Sequence, residues 1–221
     1  MTNRLPVSPA SEPLEAYAQF FDPLVTKCNQ REAFLRYLEG LLLPTERHKT
    51  LTALADTEPV LGAQHPFAQG VQWFLSESTW KPDKVNTQRL HLLRTDPTRA
   101  PDGRGVLIVD ETGDRKDGAK TAHVGRQYLA NLGKTDNGVV SVSTLWSDER
   151  IHYPLEVEPY PPAHWFARGK ADPAFRTKPQ LALELVKRAV ADTWPFRAIV
   201  ADALYGENDT FRTGLDTLKV G

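Results

Sequence analysis

The chain carries a single cysteine, Cys28, among 221 residues. An intramolecular disulfide and a cysteine-based zinc cluster are therefore excluded, and the usage suits a reducing compartment. Long apolar runs are missing as well. No stretch approaches the roughly eighteen uninterrupted apolar residues that span a bilayer, so no membrane segment is expected. Met1 to Ser11 is polar and proline-bearing and lacks the apolar centre of a signal peptide. An excess of one charge is lacking too: 27 Lys and Arg face 28 Asp and Glu, a net of -1. No bulk basic field advertises a polyanionic partner, which would have to meet a local basic surface. Internal repeats and low-complexity tracts are absent. What remains is an ordinary globular composition, 40% hydrophobic and 25% charged. The length suits one large domain or two small ones.

The first hundred residues read as helical. Leu14, Tyr17, Phe21, Leu24 and Val25 recur at helical spacing, with Pro23 placed to break that element. Phe34, Leu35, Leu38, Leu41 and Leu42 form a second stripe that Pro44 stops. Thr45 can cap a helix bearing Leu51 and Leu54. Phe67, Val71, Phe74 and Leu75 form another stripe, and Pro82 suits the first turn of a helix through Leu93. A small helical domain over 13–98 follows, after a disordered tail over 1–12. No recognition helix stands out in it. Thr95 to Arg104 is turn chemistry and marks a boundary.

Beyond that boundary the period changes. Val106-Leu107-Ile108-Val109-Asp110 and Ala198-Ile199-Val200-Ala201-Asp202 are short apolar runs, each closed by an aspartate. Such runs predict strands buried on both faces. A polar, glycine-bearing loop follows the first, then a strand over 123–129. Val140, Val142, Thr144 and Trp146 alternate with polar neighbours and predict a half-buried strand. Tyr153 to Pro179, rich in proline and aromatics, reads as one long loop. Leu181, Leu185, Val186, Ala189 and Val190 mark an amphipathic helix, and Phe211, Leu215 and Leu218 a last one. The expected order is β-β-β-α-β-α. A carboxylate at a strand end enters the crevice where open α/β sheets place their chemistry. Two such ends side by side would suit a divalent cation, since hard cations take carboxylate oxygen. Each aspartate can equally be a cap on the element that follows.

Three stretches together resemble a known family. They are Ile108-Val109-Asp110-Glu111-Thr112-Gly113, then Gly118 through Val124-Gly125-Arg126-Gln127-Tyr128, and Ala201-Asp202-Ala203-Leu204-Tyr205-Gly206-Glu207-Asn208. With the upstream Val71 to Trp80 segment, they are similar to the DDE transposases of bacterial insertion sequences. The resemblance runs from about residue 30 to the C-terminus. It implies a ribonuclease-H-like α/β fold over 104–221, a mixed sheet with flanking helices, preceded by the helical domain. In that fold the first and fourth strands lie parallel and adjacent, joining Asp110 to Asp202. Both would then be catalytic metal ligands for Mg²⁺ or Mn²⁺. The partner implied is DNA, both transposon ends and target, with a possible homo-oligomer and a cytoplasmic, nucleoid-associated bacterial location.

The family's third acid is a glutamate on a helix well beyond the second aspartate. Gly221 follows Asp202 by nineteen residues, and Glu207, Asp209 and Asp216 come too soon to match it. The expectation is a C-terminally incomplete catalytic domain that does not cleave DNA by itself. The alternative is a non-catalytic DNA-binding or assembly-interfering fragment of such an enzyme. A third possibility is another metal-dependent phosphoryl-transfer enzyme using the same aspartates.

Arg115, Lys116, Lys120 and Arg126 follow the first aspartate closely, with Lys134 a little further on. They are a solvated loop in most proteins, but beside a metal-binding aspartate they are candidate phosphate contacts. Trp165 and Phe166 are either loop anchors or stacking surfaces for an unpaired base. Gly113 to Thr121 nearly spells a phosphate-binding loop, but Ala119 intrudes and no helix is expected after it. Thr112 stands where an aspartyl-nucleophile phosphatase needs aspartate. No G-x-S-x-G elbow exists. His48, His65, His91, His123, His152 and His164 never form a ligand pair at helical spacing.

Overall fold

The computed structural model describes residues 12–43, 50–55 and 65–220. The expected tail lies outside these residues save for the backbone of Glu12, and so do Thr45 and His48. The chain divides into two compact units, Met1–Leu92 and Leu93–Gly221.

The first unit is helical. Helices α1 (Glu12–Gln19), α2 (Cys28–Leu42), α3 (Leu51–Leu54), α4 (Pro66–Ser76) and α5 (Pro82–Thr95) follow in order, and the division between units falls within α5. α1 ends before Phe21, ahead of Pro23, because proline has no amide to continue the ladder. Thr50 is the observed cap of α3, its side chain accepting from the amide of Ala53. Phe21, Val25, Ala33, Phe34 and Phe74 form the core. Trp80 stacks on Phe74 at 5.0 Å, and its indole nitrogen donates to the Phe74 carbonyl at 2.6 Å. That bond satisfies the one polar atom of a large apolar ring.

The second unit is a five-stranded mixed sheet with helices. Its strands are β1 (Val106–Arg115), β2 (Gly125–Leu129), β3 (Lys134–Ser147), β4 (His152–Tyr160) and β5 (Ile199–Ala201). Helices α6 (Lys178–Ala191), α7 (Ala203–Gly206) and α8 (Asp209–Leu218) complete it. β3 is the spine: β1 lies antiparallel along one edge, while β2 and β4 share the other. β5 adds to the outer edge of β1 in parallel. Two stretches differ from expectation. Residues 111–115 are strand rather than loop, pairing with Gly138–Val142 of β3. Residues 152–160, expected within a loop, form β4, an edge strand that tolerates Pro154 and Pro159 because its outer amides need no partner. Asp202 therefore follows the fifth strand, not the fourth, and Asp110 sits within β1 rather than at its end.

The two faces of the sheet differ. Val140, Val142, Thr144 and Trp146 of β3 are buried, as the alternation predicted, beside Leu107 and Val109 of β1. α6 covers this face with Leu181, Ala182, Leu185, Val186 and Ala189. Thr177 starts α6 in a capping box with Gln180. The opposite face carries Ile108, Ser141 and Ser143, with Val157 61% and Val200 48% exposed. Neither aspartate-bearing strand is thus buried on both faces among the described residues. Trp146 closes the far end of the sheet, stacked on Tyr153 at 5.8 Å and donating to the Pro195 carbonyl at 2.6 Å.

Candidate active site

Register places the two aspartates. Leu107, Ile108 and Val109 pair with Ile199, Val200 and Ala201, so Asp110 and Asp202 occupy the next position on adjacent parallel strands. Side chains alternate along a strand, so Asp110 shares the open face with Ile108 and Ser143. Asp202 likewise follows the phase of Val200. Both are exposed. Asp202 stands at the N-cap position of α7, yet its side chain makes no capping hydrogen bond. Among the described residues, the Asp110 carboxylate accepts from the amide of the next residue, Glu111, at 2.7 Å through Oδ1. Neither carboxylate is consumed by a helix cap. Among the described residues no third His, Cys, Asp or Glu joins them in a metal-binding cluster.

Glu111, next to Asp110, turns to the covered face. Its carboxylate meets Lys178, at the start of α6, with Nζ 2.9 Å from Oε1 and 2.8 Å from Oε2. Both side chains are largely buried, 10% exposed for Glu111 and 17% for Lys178. Tyr205, fully buried on α7, reaches the same place. Burial first, then the charges of Glu111, Asp202 and Asp110, push its pKa above the usual tyrosine range. The hydroxyl is close enough to Glu111 for hydrogen bonding to add to that push, although the pair falls short of a well-aligned bond. Tyr205 packs on Phe211 at 5.8 Å. Sequence reading missed this trio, since Lys178 lies 67 positions from Glu111 and no periodicity joins them.

The basic candidates divide. Arg115, at the end of β1, is paired with Asp117 at 2.9 Å and Asp136 at 3.6 Å. Lys116 is paired with Asp114. The side chains of Lys120 and Arg126 are exposed and make no ion pair or hydrogen bond among the described residues. Arg126 pairs with Asn137, which puts it on the same sheet face as Asp110. The strand spacings separate the two by about 20 Å. Asn137 was also missed: its side-chain nitrogen donates to the carbonyls of Lys116 at 2.6 Å and Gly118 at 3.1 Å, fixing the turn after β1. Gly113–Arg115 is strand, which leaves no phosphate-binding loop there. Trp165 is 43% exposed and anchored by its indole nitrogen on the Val124 carbonyl at 2.8 Å. Phe166 packs edge-on against Phe175 at 5.6 Å.

A strand pair carrying two free carboxylates, followed by a helix and embedded in a mixed sheet, is the arrangement that a family comparison can decide. The model of the DDE superfamily endonucleases matches residues 20–221. The chain belongs to that superfamily. It is also 36% identical over 222 residues to a probable transposase for insertion sequence element IS701 from Microchaete diplosiphon. That alignment covers the whole chain and 55% of the relative, so the chain spans about half the relative's length. The mixed α/β sheet with flanking helices is the ribonuclease-H-like architecture of DDE enzymes. Endonucleases of the superfamily use divalent metal ions. Asp110 and Asp202 fit that requirement, because both offer exposed hard oxygen that caps no helix, at neighbouring positions of the β1–β5 edge. No helix among the described residues is long and apolar enough to cross a membrane.

Proposed function

We propose that Asp110 and Asp202 hold Mg²⁺ or Mn²⁺ and that the chain carries these two catalytic aspartates of an insertion-sequence transposase acting on DNA. The observation that carries this reading is the parallel register that brings the two exposed aspartates to neighbouring positions. When bound, divalent metal neutralises the paired carboxylates and stabilises charge on the oxygens around the phosphorus. The protein's part is positioning. β1 and β5 set the carboxylates side by side, and the open face leaves room for a phosphodiester above them. Lys120 and Arg126, both unpaired, bind backbone phosphates away from the scissile bond, while Arg115 and Lys116 contribute less because acids already neutralise them. The reaction class is strand cleavage by water and strand transfer by a 3′-hydroxyl. Phosphoryl transfer demands positioning and charge neutralisation more than covalent help, so a sparse acidic site suffices.

With two carboxylates and no third in the cluster among the described residues, these residues alone bind metal and DNA without turning over. Fluorescence anisotropy with duplex DNA tests the reading. Affinity should rise with Mn²⁺, and Asp110→Asn should remove the increment while leaving metal-free binding intact. DNA affinity indifferent to Mn²⁺ in the parent would refute it. Nicking of supercoiled plasmid by the 221-residue chain would refute the expectation of inactivity.

A further inference from the structure

Each aspartate of the proposed metal site is tied by the backbone to one member of the buried trio. Glu111 is the neighbour of Asp110 on β1, and Tyr205 lies three residues after Asp202, on the single turn of α7. The tips of these two side chains converge from different elements, and Lys178 brings in a third, α6. The trio lies on the covered side of the sheet, directly behind the site, whereas the aspartates lie on the open side. Burying an ion pair costs desolvation and is weak evidence of a stabilising purpose by itself. Tyr205 is fully buried, and its hydroxyl, like Glu111 Oε2, is a buried polar atom without a well-aligned hydrogen bond among the described residues.

We infer that Lys178, Glu111 and Tyr205 form a positioning network that locks β1, α6 and α7 together and thereby sets the separation of Asp110 and Asp202. This rests on the metal-site reading above. None of the three touches the reacting atoms. They act through the aspartates, as outer partners of metal ligands do elsewhere, where their loss lowers metal affinity by about 10- to 100-fold.

The sign of one substitution separates positioning from plain electrostatics. Lys178→Met removes a positive charge close to the site. If charge alone mattered, the variant would bind a cation more tightly than the parent. A positioning role requires the opposite, a loss of about 10-fold. Calorimetric titration of the 221-residue chain with Mn²⁺ reads this directly, without needing activity. Lys178→Arg should stay close to the parent, since its head group preserves the pair with Glu111. Tyr205→Phe keeps the ring packing on Phe211 and removes only the hydroxyl. It should weaken Mn²⁺ binding several-fold with an unchanged thermal melt, and it carries the test if Lys178→Met does not fold. Parent-like or tighter Mn²⁺ binding by a folded Lys178→Met or by Tyr205→Phe overturns the network. A parent chain whose Mn²⁺ binding is absent, or unaffected by Asp110→Asn, overturns the metal site and the network together.

Discussion

Asp202 offers the sharpest separation between a structural and a functional aspartate, because it stands at a cap position without capping. A cap residue replaced by alanine costs about 1 kcal/mol, with a range of roughly 0.5–2. Asn208 is such a cap: its side-chain oxygen accepts from the amide of Phe211 at 3.0 Å at the start of α8. Asn208→Ala should therefore lower the melting temperature by about 3–6 °C for a unit of this size. Asp202→Ala should not. The side chain of Asp202 makes no capping bond, and it faces Asp110 from the adjacent strand. Neighbouring strands lie about 4.8 Å apart. Two unit charges at about 5 Å repel by about 0.8 kcal/mol in water, and by about 3 kcal/mol at an effective dielectric constant of 20. Both groups are exposed, so the lower figure governs, reduced further by salt and by loss of a favourable charge at a helix start. In chelator at pH 7, Asp202→Ala is expected to melt level with the parent or up to about 4 °C above it. Mn²⁺ should invert the order. A cation at a hundred times its dissociation constant stabilises the parent by about 2.7 kcal/mol and leaves the variant unmoved. Scanning calorimetry of both proteins, with and without Mn²⁺, settles the point. A fall for Asp202→Ala in chelator equal to that for Asn208→Ala would refute the reasoning and make Asp202 a cap after all.

Other outcomes follow from particular atoms. A methyl group on Gly138 would sit 2.6 Å from the carbonyl oxygen of Asp114 and 2.9 Å from Leu129. Gly138→Ala should therefore cost about 1–2 kcal/mol in thermal melts, as overpacking outweighs the entropy gain, while Gly118→Ala, with open space around it, should be neutral or slightly stabilising. The backbone amide of Arg150 foremost, with that of Ile151 and the Arg150 side chain, holds the Asp148 carboxyl below its usual range. A lowered folded-state pKa gives stability that is present above the ordinary value near 3.9 and is lost as pH falls through the lower folded value. Melting temperature should thus drop in that acid window, and Asp148→Asn should flatten the drop. Arg126→Ala should weaken DNA binding evenly across sequences and reduce the salt slope by about one, read by anisotropy at several salt concentrations. Arg115→Ala should do less.

Much of the second unit was legible because its core obeys local periods. The alternation of Val140, Val142, Thr144 and Trp146 is one face of β3, and Leu181, Leu185, Val186 and Ala189 are the buried stripe of α6. In the first helices, the proline at the start of α5 behaves as its chemistry dictates. What escaped depended on partners distant in sequence. Residues 111–115 look like loop because they are polar, and only the ladder to β3 makes them strand. β4 hides behind Pro154 and Pro159, which signal loop until the strand is seen to occupy an edge. The two aspartates were visible as strand-end acids, but their shared face follows from a parallel pairing that no local pattern encodes. The trio behind them was invisible for a related reason. Lys178 falls at the end of what reads as a long loop, and nothing local joins it to Glu111 until β1 and α6 bring the two together.

The most direct test of the account is calorimetric titration of the 221-residue chain with Mn²⁺, repeated on Asp110→Asn and Asp202→Asn. The parent should bind and each variant should lose binding while remaining folded, because the two carboxylates hold one cation. Parent-like binding in either folded variant, or no binding by the folded parent, would contradict it.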